Sequence, residues 1–261
     1  MTRKDAIIAR RAVRTYTTEP VKDNVLDELR RFMATIKPLH SSIKTSISIL
    51  SREDYVRSYT TFMVPNAQHY IVIRSVKKEG YLENAGFIGE QIVLFLTEMD
   101  IGTCWVGCAR PKNDEEAGKL PYVITICFGR ADNAPRRGSP DEAKRKLIHE
   151  IVMGKISHPS LLPLLEAGRL APSGINLQPV RYITESTNIF IYRTRPLFGI
   201  RALDEMQAID VGVALANIFV ASDYKRVFVR EKNYPTPQNG CIYEYTALDA
   251  EALLAEFDDE E

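Results

Sequence analysis

No stretch of this sequence stays apolar for the run of about 20 residues that spans a bilayer. The opening MTRKDAIIARRAVR also lacks an uninterrupted apolar core of signal-peptide length. Both absences lead to the expectation of a cytoplasmic protein with no membrane association. An excess charge of either sign is missing too: 34 Lys and Arg face 34 Asp and Glu, so no global field draws in nucleic acid, and any polyanion site must be local. Cysteine is scarce. Four in 261 residues are too few and too scattered for a disulfide framework. Cys104 and Cys108 form a C-x3-C, but no histidine pair stands near them at zinc-ligand spacing, so reduced thiols are expected rather than a metal site. The four histidines are dispersed as well. There is no GxGxxG, GxxxxGK[ST], HExxH or GxSxG motif, which removes the usual dinucleotide, P-loop, zincin and serine-hydrolase readings.

What the sequence does contain is a set of amphipathic helical patterns alternating with short β-branched runs. Helical spacing joins Val25, Leu26, Leu29, Phe32 and Met33, with Asn24 as the expected cap, and again Ala85, Ile88, Ile92, Phe95 and Met99. Leu161, Leu162 and Leu165 begin a third pattern after Ser160, and Val211, Ala214, Ile218 and Ala221 mark a fourth. Strands are expected at 69–76, 122–129, 180–184, 188–193 and 227–230, with Ser186-Thr187 turning a hairpin. A polar break at 131–141 is the candidate linker, and the acidic end at 256–261 is expected to be solvated. Segments on either side of the break match in order: 7–14 over 151–158, 24–29 over 160–165, and 85–92 over 211–218. This pattern suggests duplication, although chance likeness of amphipathic helices is the competing reading. The expected domains are 1–131 and 142–261.

Three segments suit a phosphorylated, planar aromatic ligand. Arg10, Arg11 and Arg14 lie at or just beyond the end of the first helix; on a helix Arg10 and Arg14 would share a face, and guanidinium forks bind phosphate bidentately. A solvated basic helix end is the plainer alternative. The loop at 171–179, APSGINLQP, follows a helix that Pro172 stops; Gly174 permits a tight path, and Ser173, Asn176 and Gln178 offer short donors and acceptors. At 101–107, IGTCWVG brackets the sole tryptophan, Trp105, between Gly102 and Gly107, so that backbone could approach a ring system closely. A plain helix-to-strand connection would look similar.

Taken together, RRAVRTY, APSGINLQPVRY and GTCWVG resemble the three signature segments of the FMN-dependent nitroreductase family, over most of residues 4–131 and 148–231. One segment is displaced. Ordinary members carry the proline-serine loop after the second helix; here that place holds ATIKPLHSS, and the intact loop stands only in the second half. The resemblance implies an α+β fold in which two tandem related halves form a pseudo-dimer around a mixed sheet. The first half would supply the arginines and the GTCWVG turn, and the second, degenerate half the loop. Because one chain would then mimic the family dimer, it could remain a monomer.

By the family pattern, Arg10 and Arg11 would hold the FMN phosphate and Arg14 would reach the phosphate or the pyrimidine edge. Arg136 or Arg137 would close the phosphate site. Pro172, Ser173, Gly174 and Asn176 would contact the ribityl chain and ring, and the amides of Gly102 and Thr103 would lie near N5 and O4. Ala12 stands where the family often has serine, and Val180 where it usually has tryptophan. No side-chain catalyst is implied, since the flavin carries the difficult chemistry. NAD(P)H would be the co-substrate in a ping-pong cycle, and a nitroaromatic, quinone or similar small conjugated molecule the electron acceptor. The alternatives are a non-catalytic flavin-binding or flavin-sequestering protein, and a specialised dehalogenation or flavin-fragmentation chemistry. The Tyr-rich segment 52–63 could line or cover such a cleft, or be an ordinary surface segment.

Overall fold

A computed structural model describes residues 1–61, 66–113, 119–131, 136–196, 199–237 and 240–250. The expected acidic end at 256–261, part of the 131–141 break and the last residues of the 52–63 segment lie outside them. The chain divides into two units, residues 1–142 and 143–261.

The first unit begins with α1 (Arg3–Ala9) and α2 (Asp23–Met33). Lys22, not Asn24, occupies the cap position of α2, and no side chain caps it. Strand β1 (Thr45–Ser51) runs into α3 (Arg52–Ser58), whose cap Ser51 accepts from the Asp54 amide, and then into the short β2 (Tyr59–Thr60). After β3 (His69–Ser75) comes α4 (Tyr81–Glu98), followed by β4 (Gly102–Val106), β5 (Arg110–Pro111) and β6 (Tyr122–Gly129). The main sheet has the order β1-β3-β6-β4, every ladder antiparallel, and β2 pairs with β5 separately. A parallel bridge from Ala12 to Thr103 extends the main sheet beyond β4, giving it its mixed character.

Helix α4 is buried almost all round, so its polar side chains must be satisfied internally. Asn84 accepts from the His40 amide at 3.0 Å, and Gln91 donates to the Lys37 carbonyl at 3.0 Å, tying down the chain that follows α2. Period-two alternation divides the strands between two faces. Ile126 and Trp105 meet α4 at Gly89, where an added Cβ would come within 2.3 Å of the indole and 3.1 Å of the isoleucine. The opposite face gathers Tyr70, Val72, Cys104, Val106 and Cys127 with Val13 and Tyr16. Tyr55 and Tyr59 complete that cluster: Tyr55 stacks on Tyr70 at 3.8 Å and on Tyr59 at 4.8 Å between ring centroids. The described part of the Tyr-rich segment is therefore α3, β2 and Thr61, and its two tyrosines are core residues.

In the second unit, α5 (Ile148–Ile151) precedes α6 (Leu162–Leu170), which is entered through a 3-10 turn at Pro159–Leu161. Strands β7 (Val180–Glu185) and β8 (Asn188–Arg193) form the expected hairpin, with Ser186 in the left-handed region at φ 51°. Helix α7 (Arg201–Ala221) leads to β9 (Arg226–Val229) and β10 (Ile242–Asp249). The sheet order is β7-β8-β10-β9, again antiparallel throughout. Asn217, buried on α7, donates to the Ala167 carbonyl of α6 at 3.0 Å.

With α3, β2 and β5 set aside, both units run α-α-β-β-α-β-β, and both order their strands first-second-fourth-third. They differ in where the segment after the first helix pairs. In the first unit Ala12 bridges the third strand; in the second, Val152 bridges Tyr182 on the first.

Replacing Gly89 by Ala forces the indole or Ile126 to move within a packed layer. We expect Gly89→Ala to cost about 1–3 kcal/mol in urea unfolding, with a shift in the emission of the single tryptophan. Unchanged stability and emission would contradict this packing.

Candidate functional site

Helix α1 ends at Ala9, and Arg10 is its C-terminal cap at ψ 128°. Arg10 and Arg14 therefore do not share a helical face as the spacing suggested: the chain has already left the helix and bridges β4 through Ala12 and through Val13, whose amide donates to the Thr103 carbonyl at 2.8 Å. Gly102 makes this approach feasible, since a Cβ there would lie 2.9 Å from the Val13 side chain. The GTCWVG segment is a strand for most of its length rather than a turn.

The three arginines separate by environment. Arg11 and Arg14 are exposed, whereas Arg10 is only 4% exposed. Its Nε lies 3.9 Å from Oε1 of Glu90 on α4, a carboxylate with no exposure, whose Oε2 accepts from Trp105 Nε1 at 3.1 Å. Burial draws the Arg10 guanidinium below its ordinary range, and Glu90 opposes that shift. Arg137 is buried and its amide donates to the Ala9 carbonyl at 3.0 Å, which brings the 136–137 segment to the end of α1. Arg136 is exposed and pairs with Asp100. Arg11, Gly102 and Arg136, with Ala9, Val13 and Asp100, line one depression of about 270 Å³. Cys104, the register partner of Cys127, sits behind; its thiol is drawn down, first by Cys127 and then by Arg14 and Arg10.

In the second unit the 171–179 loop leaves α6 at Ala171 and turns through Gly174–Asn176. Ile175, Asn176 and Gln178 all have positive φ, at 43°, 58° and 51°. A β-branched residue in this region is strained, and Ile175 is 79% exposed, so packing does not compensate it. The polar side chains are engaged within the unit: Ser173 Oγ accepts from the Gln178 amide at 2.9 Å, Asn176 Oδ1 accepts from Arg145 at 2.8 Å, and Gln178 Oε1 accepts from the Lys146 amide at 2.6 Å. Ser173 retains its hydroxyl proton to donate. Asn176 and Gln178 instead hold the loop to residues 144–146.

Sequence reasoning missed two acids, Glu90 and Asp210. Asp210 on α7 accepts from the Gly174 amide at 2.9 Å and, with Pro172, Ser173 and Tyr182, lines a pocket of about 330 Å³. Its other oxygen, Oδ2, is buried without a hydrogen-bond partner. Both acids lie on helices that read as mainly apolar, and an isolated acid in such a pattern was the available signal.

Burial lifts the Asp210 carboxyl from 3.8 to about 7, partly offset by the Gly174 amide. With its folded value raised, the group favours the fold below the unfolded value and loses that contribution as pH rises through about 4 to 7. Urea unfolding across that window should show the wild type losing more stability than Asp210→Asn, which keeps an acceptor for Gly174. Parallel pH profiles would contradict the buried-acid assignment.

A family model described as "Putative TM nitroreductase" matches residues 3–222. A "putative nitroreductase" of Thermotoga maritima has a similar solved structure, with 22% identity, TM-score 0.67, and coverage of 96% of this chain and 94% of that one. An FMN-dependent nitroreductase of Clostridium difficile R20291 matches over 54% of this chain and 94% of its own, at 15% identity and TM-score 0.40. No curated protein matches. A model that spans most of the chain, on a fold carrying the arginine segment, the GTCWV strand and the proline-serine loop, shows that this chain belongs to the nitroreductase family.

Proposed function

We propose that the protein is an FMN-dependent oxidoreductase that passes electrons from NAD(P)H to a small conjugated acceptor such as a nitroaromatic or quinone, in a ping-pong cycle. The observation that carries this reading is the meeting of Arg11, Arg136 and Gly102 on one depression, with buried Arg10 adjoining through its cap position. A phosphate monoester needs convergent cationic donors in a partly enclosed place, and these residues fit that need. Arg10, Arg11 and Arg136 would hold the phosphate, with Arg14 toward it or toward the pyrimidine edge and Arg137 supporting the end of α1. Gly102 and Thr103 would present backbone to the ring. Pro172, Ser173, Gly174 and Asn176 are the proposed ribityl and ring contacts, with Gly174 placed by Asp210 and Asn176 shaping the loop. Bound FMN would supply the hydride chemistry; the chain's own residues bind, orient and exclude water.

The matching element order of the two units supports internal duplication, with one complete set of phosphate ligands. At the helix cap where the first unit has Arg10, the second has Val152. One FMN per chain, and a chain able to act as a monomer, follow from this reading.

Purified protein should be yellow, and its flavin absorbance should bleach anaerobically on addition of NADH or NADPH and recover with a quinone or nitroaromatic. Flavin that binds but never bleaches would favour a sequestering role instead. Arg11→Ala and Arg136→Ala should each weaken FMN by about 1.5–3 kcal/mol, as expected for hydrogen bonds to a charged group. FMN titration with unchanged affinity in both variants would refute the phosphate assignment.

A further inference from the structure

We infer that Glu90 is a positioning residue for phosphate recognition, fixing the Arg10 guanidinium through a buried ion pair while it anchors Trp105 against α4. This rests on the reading of Arg10 as a phosphate ligand. A carboxylate with no exposure is costly unless it is paired: Glu90 Oε2 accepts from the Trp105 indole at 3.1 Å, and Oε1, which makes no hydrogen bond, lies 3.9 Å from Arg10 Nε, within ion-pair reach. Contact through Nε leaves the two terminal nitrogens of the fork to face elsewhere. The preceding residue, Gly89, admits the indole: a Cβ there would come within 2.3 Å of the ring. Arg10 caps α1, so its backbone is fixed by the helix end while its side chain is fixed by α4. Held from both directions, the fork loses little freedom when an anion arrives.

The second unit supplies an internal comparison. In the matched segments Glu90 corresponds to Ala216 and Arg10 to Gly154, and the cap of the second unit's first helix is Val152. The carboxylate and the buried arginine therefore occur together in one unit and are absent together at the matching positions of the other. A carboxylate needed only for packing would have no reason to track the arginine.

The test compares FMN with riboflavin, which lacks the phosphate, in titrations of full-length wild type, Glu90→Gln, Arg10→Ala and the double variant. Glu90→Gln should weaken FMN by about tenfold or more, the scale of one charge-assisted contact. It should leave riboflavin affinity unchanged and shift the emission of Trp105. The double variant should bind FMN no more weakly than Arg10→Ala alone, because Glu90 acts through Arg10. If Arg10→Ala loses FMN while Glu90→Gln binds it as tightly as wild type or more so, the positioning role is overturned and the phosphate reading stands. If neither variant discriminates FMN from riboflavin differently from wild type, the phosphate reading itself fails. Should Glu90→Gln not fold, Glu90→Asp keeps the buried charge balanced while drawing the carboxylate back by one methylene; the same selective loss of FMN is expected, and full FMN affinity in that variant overturns the inference.

Discussion

A buried charge must have a partner, and in the first unit that requirement shapes the ground around the candidate site. Arg10 is buried at the end of α1, Glu90 meets it from the buried helix α4, and the same carboxylate secures Trp105 on β4. The end of α1 is thereby tied to the consecutive elements α4 and β4 at one point. The surrounding geometry follows: Gly102 lets the chain after α1 lie against β4, Ala12 and Val13 join the strand, and the 136–137 segment returns to the end of α1 through the Arg137 amide. Exposed Arg11 and Arg136 then line one depression with Gly102 and Asp100.

The second unit solves a different problem, that of holding a tight loop in an unfavourable backbone conformation. Three left-handed residues within four positions, among them a β-branched isoleucine, store strain at 175–178. Asp210 grips Gly174 from beneath, Ser173 grips Gln178, and the amides of Asn176 and Gln178 reach back to residues 144–146. Several polar contacts within the unit thus hold the strained conformation in place. The polarity that made the loop conspicuous in sequence thus serves its shape first.

Much of the fold was legible because the long helices and the inner strands carry strong periodicity: α4, α7, β3, β6 and the β7–β8 hairpin all lie close to their expected places. The edges were harder. Strand β1 is rich in serine, and β10 carries a bulge between Tyr243 and Tyr245 that breaks the alternation. β4 looked like a turn because its glycines and lone tryptophan suit close approach, which they do provide, but within a strand. At the site, residue types were readable and their roles less so. Nothing local distinguishes the buried Arg10 from exposed Arg11, since the difference arises from a helix some 80 positions later. Glu90 and Asp210 escaped notice for the same reason: a carboxylate on an apolar helix acquires its meaning only from what packs against it.

The shared α-α-β-β-α-β-β order with unequal chemistry supports the central proposal, that one chain carries one set of phosphate ligands and binds one FMN. Counting FMN released on denaturing a protein of known concentration tests this directly. The account predicts one FMN for each chain after saturation; two per chain, or a protein that takes up none, would contradict it.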